Sequence, residues 1–155
     1  KKTILKRGLF RSRYAKLIMS LSKGPLDIIF RKCSFRLWNE NNLIEYGLLL
    51  DPNYNNEDID FLINGAKKNS NFVDIGSNIG LYSQPLALAS PNGRVISVDA
   101  NPLMKLRLDF NKKSSNISNI KTINLAVSDT SGKGSLIIRK NDIAIVALVE
   151  HINFF

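Results

Sequence analysis

Two carboxylates and a glycine turn are the residues of this sequence best placed to do chemistry. Asp74 stands two residues before Gly76, and Gly80 follows four residues after Gly76. Asp99 comes directly after the predicted strand at residues 94–98. A glycine turn between a strand and a helix lets the backbone approach a ligand closely, and a carboxylate at the next strand tip can bind ribose hydroxyls. This spacing indicates a site for a cofactor that contains a nucleoside.

Asp74 helps to decide which cofactor the turn would receive. A dinucleotide would bring a pyrophosphate to the turn, and a carboxylate about 4 Å away would repel it by several kcal/mol at an effective dielectric of about 20. S-adenosylmethionine carries an ammonium and a sulfonium, which the same carboxylate attracts. The spacing Gly76-x-x-x-Gly80 also departs from the G-x-G-x-x-G pattern of dinucleotide-binding turns. These residues therefore favour S-adenosylmethionine.

Each of these polar side chains also has a structural interpretation that the sequence leaves open. Asp99 could serve the helix entry beside Asn101, and Asp74 could be a solvated acid at a strand end. Asn78 occupies a turn position where a left-handed backbone is expected, which asparagine tolerates better than most residues. We further expect backbone N–H groups at the helix start to be available to an anionic group.

The pattern around the turn predicts an α/β fold with a mostly parallel sheet, because strands and helices alternate. Asn101 and Pro102 are typical of a helix start, as N-cap and first helical residue. Pro85 should kink the helix that contains it. Residues 35–50 are interpreted as irregular or short strand structure. The predicted strands are residues 72–75, 94–98, 121–127, 135–139 and 143–149, the predicted helices 3–21, 57–67, 78–89 and 102–111, and the predicted turns 51–53 and 131–134.

Positive charge is concentrated at the start of the chain. The net charge is +9, yet residues 1–36 hold eleven Lys and Arg and a single acid. The same region places Tyr14, Leu17, Ile18 and Leu21 at helical spacing, with basic residues between them. Such a helix could lie on an anionic membrane. The favoured interpretation is a solvated helix that packs on its own domain or on another subunit.

Composition excludes several classes of protein. The 155 residues suffice for one domain, and the longest apolar run, residues 143–149, is too short to span a bilayer. Cys33 is the only cysteine and His151 the only histidine, so we expect no internal disulfide and no metal site. Outside residues 1–36 the net charge is slightly negative, so no nucleic-acid partner is expected. No signal peptide is recognised, and we expect a cytoplasmic protein.

Three segments together carry a resemblance to a known family. Residues 73–83, 93–102 and 124–129 read Val-Asp-Ile-Gly-Ser-Asn-Ile-Gly-Leu-Tyr-Ser, Gly-Arg-Val-Ile-Ser-Val-Asp-Ala-Asn-Pro and Asn-Leu-Ala-Val-Ser-Asp. They resemble the FkbM family of S-adenosylmethionine-dependent methyltransferases, for which the asparagine in the glycine turn is characteristic. The resemblance implies a Rossmann-like class I methyltransferase fold, with helices on both faces of a mostly parallel sheet.

The resemblance also implies an activity and the roles of eight residues. The expected reaction is methyl transfer, with a hydroxyl oxygen of a small molecule or a glycan as the acceptor. The residues alone indicate only a nucleoside cofactor. By resemblance, the methionine end of S-adenosylmethionine is held by Asp74, Gly76, Asn78 and Gly80, the ribose is held by Asp99, and adenine is flanked by Ala100, Leu125 and Ala126.

The sequence departs from the family pattern in ways that affect the expected activity. The family usually has Glu where this chain has Asp99, and it continues into an acidic Asp-x-Glu-Gly segment that does not occur between Gly134 and Phe155. We therefore expect an incomplete fold, with residues 1–50 as a basic N-terminal segment and residues 51–155 as the first half of the methyltransferase domain. No catalytic base is assigned. The alternatives are a truncated, inactive cofactor-binding fragment and a basic module that binds membranes or nucleic acids.

Overall fold

Three parallel strands form the sheet that positions the site. In this computed structural model, which describes residues 2–38, 40, 42–136 and 150–154, the sheet contains β3 (Phe72–Ile75), β4 (Val95–Asp99) and β5 (Ile120–Asn124), with β4 in the centre. All three strands run in the same direction, so their carboxyl ends meet at one edge. The predicted parallel sheet is confirmed, although β5 ends three residues before the predicted end.

Two helices cover one face of this sheet. α4 (Ser83–Ala89) contacts it through Ser83, and α5 (Pro102–Ser114) contacts it through Asp109, whose carboxylate accepts a hydrogen bond from Thr122. On the opposite face, the side chains of Val73 and Ile75 are 64% and 62% exposed. Within the described residues, the prediction of helices on both faces is therefore met on one face only.

α4 begins five residues later than predicted. Residues 78–82 form turns, and the helix starts at Ser83. Pro85 consequently lies in the first helical turn, where backbone N–H groups have no partner within the helix and the missing N–H of proline costs nothing. The predicted kink at Pro85 is therefore wrong. The start of α5 is as predicted, with Asn101 accepting a hydrogen bond from the Leu103 N–H at 3.0 Å.

A hairpin and three helices stand before the parallel sheet in the chain. The chain forms α1 (Lys2–Leu21), a hairpin of β1 (Leu26–Phe30) and β2 (Cys33–Leu37), α2 (Leu43–Leu50) and α3 (Asn56–Gly65). The prediction of irregular or short strand structure at residues 35–50 agrees with the end of β2 at Leu37 and is wrong at residues 43–50, which form α2. The hairpin turn places two non-glycine residues, Arg31 and Lys32, at φ of 48° and 65°. Such a turn normally contains Asn or Gly, so the sequence lacked its usual signal.

One hydrophobic cluster extends from α1 to β5. It includes Ala15 and Met19 of α1, Phe35 of β2, Ile59 of α3 and Ile120 of β5. The predicted helix at residues 3–21 is confirmed, and it packs on α2. In the described part of the chain, no helix has the length and apolarity that crossing a membrane requires. The division at residue 50 stays a prediction.

The last described strands form a separate antiparallel pair. β6 (Gly132–Leu136) pairs with β7 (Glu150–Phe154). Residues 132–134 are thus already strand, which corrects the turn predicted at residues 131–134. The strand predicted at residues 143–149, and the end of the one predicted at residues 135–139, lie outside the described residues.

Candidate functional site

A cavity of about 340 Å³ opens at the carboxyl ends of β3, β4 and β5. Ligands of open α/β sheets bind at this edge, and small-molecule sites start at about 300 Å³. The cavity brings together six of the eight predicted site residues: Gly76, Asn78, Asp99, Ala100, Leu125 and Ala126. The other two predicted residues, Asp74 and Gly80, are not part of its lining.

Asp99 stands at the tip of β4 with both carboxylate oxygens engaged by backbone. One oxygen accepts the Asn78 N–H and the other accepts the Asn101 N–H, each at 2.8 Å. Burial raises the pKa of the Asp99 carboxyl above its usual value, and these two hydrogen bonds oppose the rise. A carboxylate offers about four acceptor positions. Asp99 therefore serves the helix entry, as one interpretation expected, and keeps acceptor capacity for a ligand.

The five residues of the glycine turn, residues 76–80, all use their backbone N–H groups within the protein. Gly76 and Ser77 donate to the Val98 carbonyl, Asn78 donates to Asp99, Ile79 donates to the Asn78 side chain, and Gly80 donates to the Ser77 carbonyl. Because α4 starts only at residue 83, its first N–H groups also lie beyond the turn. The expectation that N–H groups at this turn are available to an anionic group is therefore wrong.

The charge of the cavity lining also limits which ligands could bind there. Among the described residues that line the cavity, Asp99 is the only one with a formal charge, and it is an acid. A carboxylate at this strand tip also holds the ribose in dinucleotide sites, so the feature that disfavours a pyrophosphate is the engagement of the turn amides. A ribose or a cationic group would instead find an acceptor. The arrangement therefore disfavours a dinucleotide on grounds independent of Asp74.

Asp74 lies in β3, on the face of the sheet that α4 covers. Its carboxylate accepts a hydrogen bond from the Ser83 hydroxyl, which in turn accepts one from Ser97 at 2.7 Å. Burial raises the pKa of the Asp74 carboxyl, the Ser83 hydrogen bond opposes the rise, and the nearby charge of Asp99 adds to it. Asp74 is thus a half-buried, hydrogen-bonded acid and not a solvated one. Its contact with the methionine end stays a prediction.

The two glycines of the turn differ in what requires them. Both have positive φ, 75° at Gly76 and 90° at Gly80. A Cβ at Gly76 would meet open space, so its backbone conformation alone favours glycine. A Cβ at Gly80 would also overlap Leu108 of α5, so this glycine permits close packing between the turn and α5. Ligand binding by Gly80 stays a prediction.

Sequence reasoning missed several residues that shape the site. Five lining residues lay within or beside the predicted elements: Ile75, Val98, Asn101, Met104 and Val127. One further residue reaches the turn from α2, where Asn42 donates from Nδ2 to Asn78 Oδ1 at 2.8 Å. Position in a parallel strand tip could have indicated Ile75 and Val98. Nothing in the sequence near Asn42 indicated its contact with residue 78.

Solved structures with a similar fold include a protein crystallised with S-adenosylmethionine (AdoMet) and a protein named as dependent on it. The chain is similar to TYW2 from M. jannaschii, solved in complex with AdoMet, at 22% identity over 66% of this chain and 43% of that chain, with a TM-score of 0.55. It is similar to P. horikoshii TYW2 in complex with MeSAdo at 18% identity over 72% of this chain and 40% of that chain, with a TM-score of 0.56. It is similar to the SAM-dependent methyltransferase from Agrobacterium tumefaciens at 15% identity over 68% of this chain and 33% of that chain, with a TM-score of 0.54.

These similarities define the fold of the chain. It is the Rossmann-like α/β fold of class I methyltransferases, here with three described parallel strands. The chain spans less than half the length of the solved chains it matches. No protein-family model matches the sequence, and no curated protein matches it. The resemblance to the FkbM family therefore stays a prediction.

Proposed function

We propose that this chain carries the cofactor half of an S-adenosylmethionine-dependent methyltransferase. The observation that carries the proposal is the environment of Asp99, a carboxylate with free acceptor positions at the tip of β4. It lies beside a turn whose amides are all engaged, which suits a ribose and disfavours a pyrophosphate. The AdoMet bound to M. jannaschii TYW2, a protein of similar fold, supports the same cofactor.

The residues present fit S-adenosylmethionine in size and in polarity. The cavity of about 340 Å³ lies within the range of small-molecule sites. Asp99 would hold the ribose hydroxyls, and Ala100, Leu125 and Ala126 would flank the adenine. Gly76 leaves open space at the turn for the methionine end. The Leu125 N–H donates to the Asp99 carbonyl at 3.1 Å, which fixes the ribose and adenine regions relative to each other.

The bound cofactor would supply an electrophilic methyl group, and the acceptor would supply the nucleophile. This reaction mainly requires the two to be held in line, so positioning by rigid strand tips is the chief contribution of this chain. The proposed acceptor, a hydroxyl oxygen of a small molecule or a glycan, rests on the resemblance to the FkbM family. We assign no catalytic base.

Calorimetric titration with S-adenosylhomocysteine tests the cofactor assignment, with NAD as the control ligand. We expect saturable binding of S-adenosylhomocysteine and no binding of NAD. Thermal denaturation should show the same preference, because a ligand at 100 times its Kd stabilises the folded state by about 2.7 kcal/mol. Absence of stabilisation by millimolar S-adenosylhomocysteine, in a chain that melts cooperatively, would refute the assignment. Binding without methyl transfer to any hydroxyl acceptor would indicate the inactive cofactor-binding fragment.

A second candidate function concerns α1, which we propose as a contact with anionic membrane surfaces. α1 packs on α2 and buries Ala15 and Met19, while Tyr14, Leu17 and Leu21 are 54%, 55% and 77% exposed. These three residues follow one line along the helix, in a region that holds eleven basic residues and one acid. Exposed leucines beside basic residues suit a lipid interface better than a nucleic acid, which offers them no apolar surface.

Co-sedimentation with vesicles tests this contact. We expect the chain to bind vesicles of phosphatidylserine and phosphatidylcholine, with weaker binding at high salt. Leu17→Ser with Leu21→Ser should abolish it, while Phe61→Ser, which removes a side chain 79% exposed on α3, should not. Equal binding by both variants would refute the role of α1. Binding to DNA with the same salt dependence, and none to vesicles, would favour a nucleic-acid module instead.

A further inference from the structure

The side chain of Asn42 is fully buried and connects α2 to the glycine turn. Its Oδ1 accepts the Ile44 N–H at 2.9 Å, which makes it the N-cap of α2. Its Nδ2 donates to Asn78 Oδ1 at 2.8 Å and lies 3.5 Å from the sulfur of Met104, which lines the cavity. A side-chain amide can cap a helix and donate to a second residue at the same time, because it carries an acceptor and donors on one planar group.

Asn78 needs such a contact because its backbone is in an unfavourable conformation. Its φ is 47°, in the left-handed region that costs most residues with a Cβ about 1–2 kcal/mol and that asparagine tolerates when its side chain is hydrogen-bonded locally. Its Oδ1 accepts two hydrogen bonds, one from the Ile79 N–H at 2.9 Å and one from Asn42. These two donors define the orientation of the Asn78 amide, and with it the path of the turn along the cavity.

α2 is itself held firmly, so Asn42 is presented from a fixed position. Glu45 of α2 is fully buried and pairs with Arg107 of α5 at 2.6 Å. The other oxygen of the Glu45 carboxylate accepts the Trp38 N–H at 2.7 Å. Because α5 begins at the cavity, this ion pair fixes the start of α2 relative to the strand tips.

We propose that Asn42 is a positioning residue, which acts through Asn78 to hold the glycine turn in the conformation that binds the nucleoside cofactor. The inference rests on the proposed function for its ligand and on the contacts of Asn42 for its mechanism. Asn42 lies 34 residues before Gly76 and is not among the eight predicted site residues. It would set affinity without touching the ligand.

Asn42→Ser is the informative variant, because serine replaces asparagine at an N-cap with little loss but lacks the amide NH₂ group, and its shorter side chain does not reach Asn78 from the cap position. We expect its affinity for S-adenosylhomocysteine to fall about 10-fold, the value of one buried hydrogen bond and the strain it relieves. Amide hydrogen exchange of residues 78–80 should become faster. Asn42→Asp, which keeps the volume and the cap but places an oxygen against Asn78 Oδ1, should show the same two effects.

The matched control is Asn119→Ser. Asn119 also uses its amide to hold a turn, donating to the carbonyls of Ala87, Ser90 and Gly93 at the opposite end of the sheet. This control should lower the melting temperature and leave the affinity unchanged, which separates positioning from general stability.

A double-mutant cycle identifies the partner through which Asn42 acts. Glycine adopts positive φ without a supporting side chain. In the Asn78→Gly background, Asn42→Ser should therefore cause no further loss of affinity. Wild-type affinity and unchanged exchange at residues 78–80 in Asn42→Ser would overturn the proposal. If the wild-type chain does not bind S-adenosylhomocysteine, the proposed function fails, and the exchange rates alone then decide the role of Asn42.

Discussion

Replacing Asp99 with Asn tests the centre of the proposed site, because it changes one oxygen of a carboxylate that has two structural partners. In the wild-type chain each oxygen accepts one backbone N–H at 2.8 Å, from Asn78 and from Asn101. The amide of Asp99→Asn can accept only one of these donors and presents its own NH₂ group to the other. A hydrogen bond to a charged group contributes about 1.5–3 kcal/mol, so we expect the free energy of unfolding to fall by about that amount.

The same change should weaken cofactor binding. The ribose hydroxyls would lose the charged acceptor, which corresponds to about a 10- to 100-fold increase in the Kd of S-adenosylhomocysteine. Calorimetric titration well below the melting temperature measures this, and urea denaturation measures the stability in parallel. Asp60→Asn is the matched control, since Asp60 is 55% exposed and pairs with Arg31 on the surface. That control should change neither quantity appreciably.

The two measurements together separate the two roles of Asp99. A loss of stability with an unchanged Kd would mean that the carboxylate serves only the Asn78 and Asn101 amides. That result would refute the argument that Asp99 holds the ribose. A 10-fold or greater loss of affinity, in a variant that is fully folded at the titration temperature, would support it.

Three further substitutions test the packing and electrostatics around the site, each measured by urea denaturation. Gly80→Ala should lower the free energy of unfolding by about 2–4 kcal/mol because its Cβ overlaps Leu108 at a φ of 90°, whereas Gly24→Ala, with no atom near its Cβ, should not. Burial alone would raise the pKa of Asp109, but hydrogen bonds, those from Lys side chains foremost, lower it to about 2. The ionised Asp109 should therefore stabilise the fold by about 2 kcal/mol above pH 4, and this contribution should be lost as the pH falls towards 2. Asp109→Asn should remove this pH dependence, and an unchanged pH profile in the variant would contradict the role of Asp109. Lys32→Gly should raise stability by up to about 1 kcal/mol, since φ is 65° there, and a loss would show that the lysine side chain matters.

The sequence alone determined the features that depend on neighbours in the chain. The strand at residues 72–75, the turn at Gly76, and the helix start at Asn101 and Pro102 are where the sequence placed them. Their signals are local, because apolar runs, glycine conformations and N-caps act over a few residues. Six of the eight predicted site residues line one cavity for the same reason, since parallel strand tips meet at one edge.

Tertiary structure decided the features that depend on distant partners. The hairpin at Leu26–Leu37 turns through two non-glycine residues, and α2 is held by Glu45 through Arg107, 62 residues away. The glycine turn looked open to an anion, yet Val98 and Asp99 of the neighbouring strand take up three of its amides. Asn42 reaches Asn78 across 36 residues. Hydrogen bonds between segments so far apart leave no periodic pattern in the sequence, so only the folded chain shows which donors remain for a ligand.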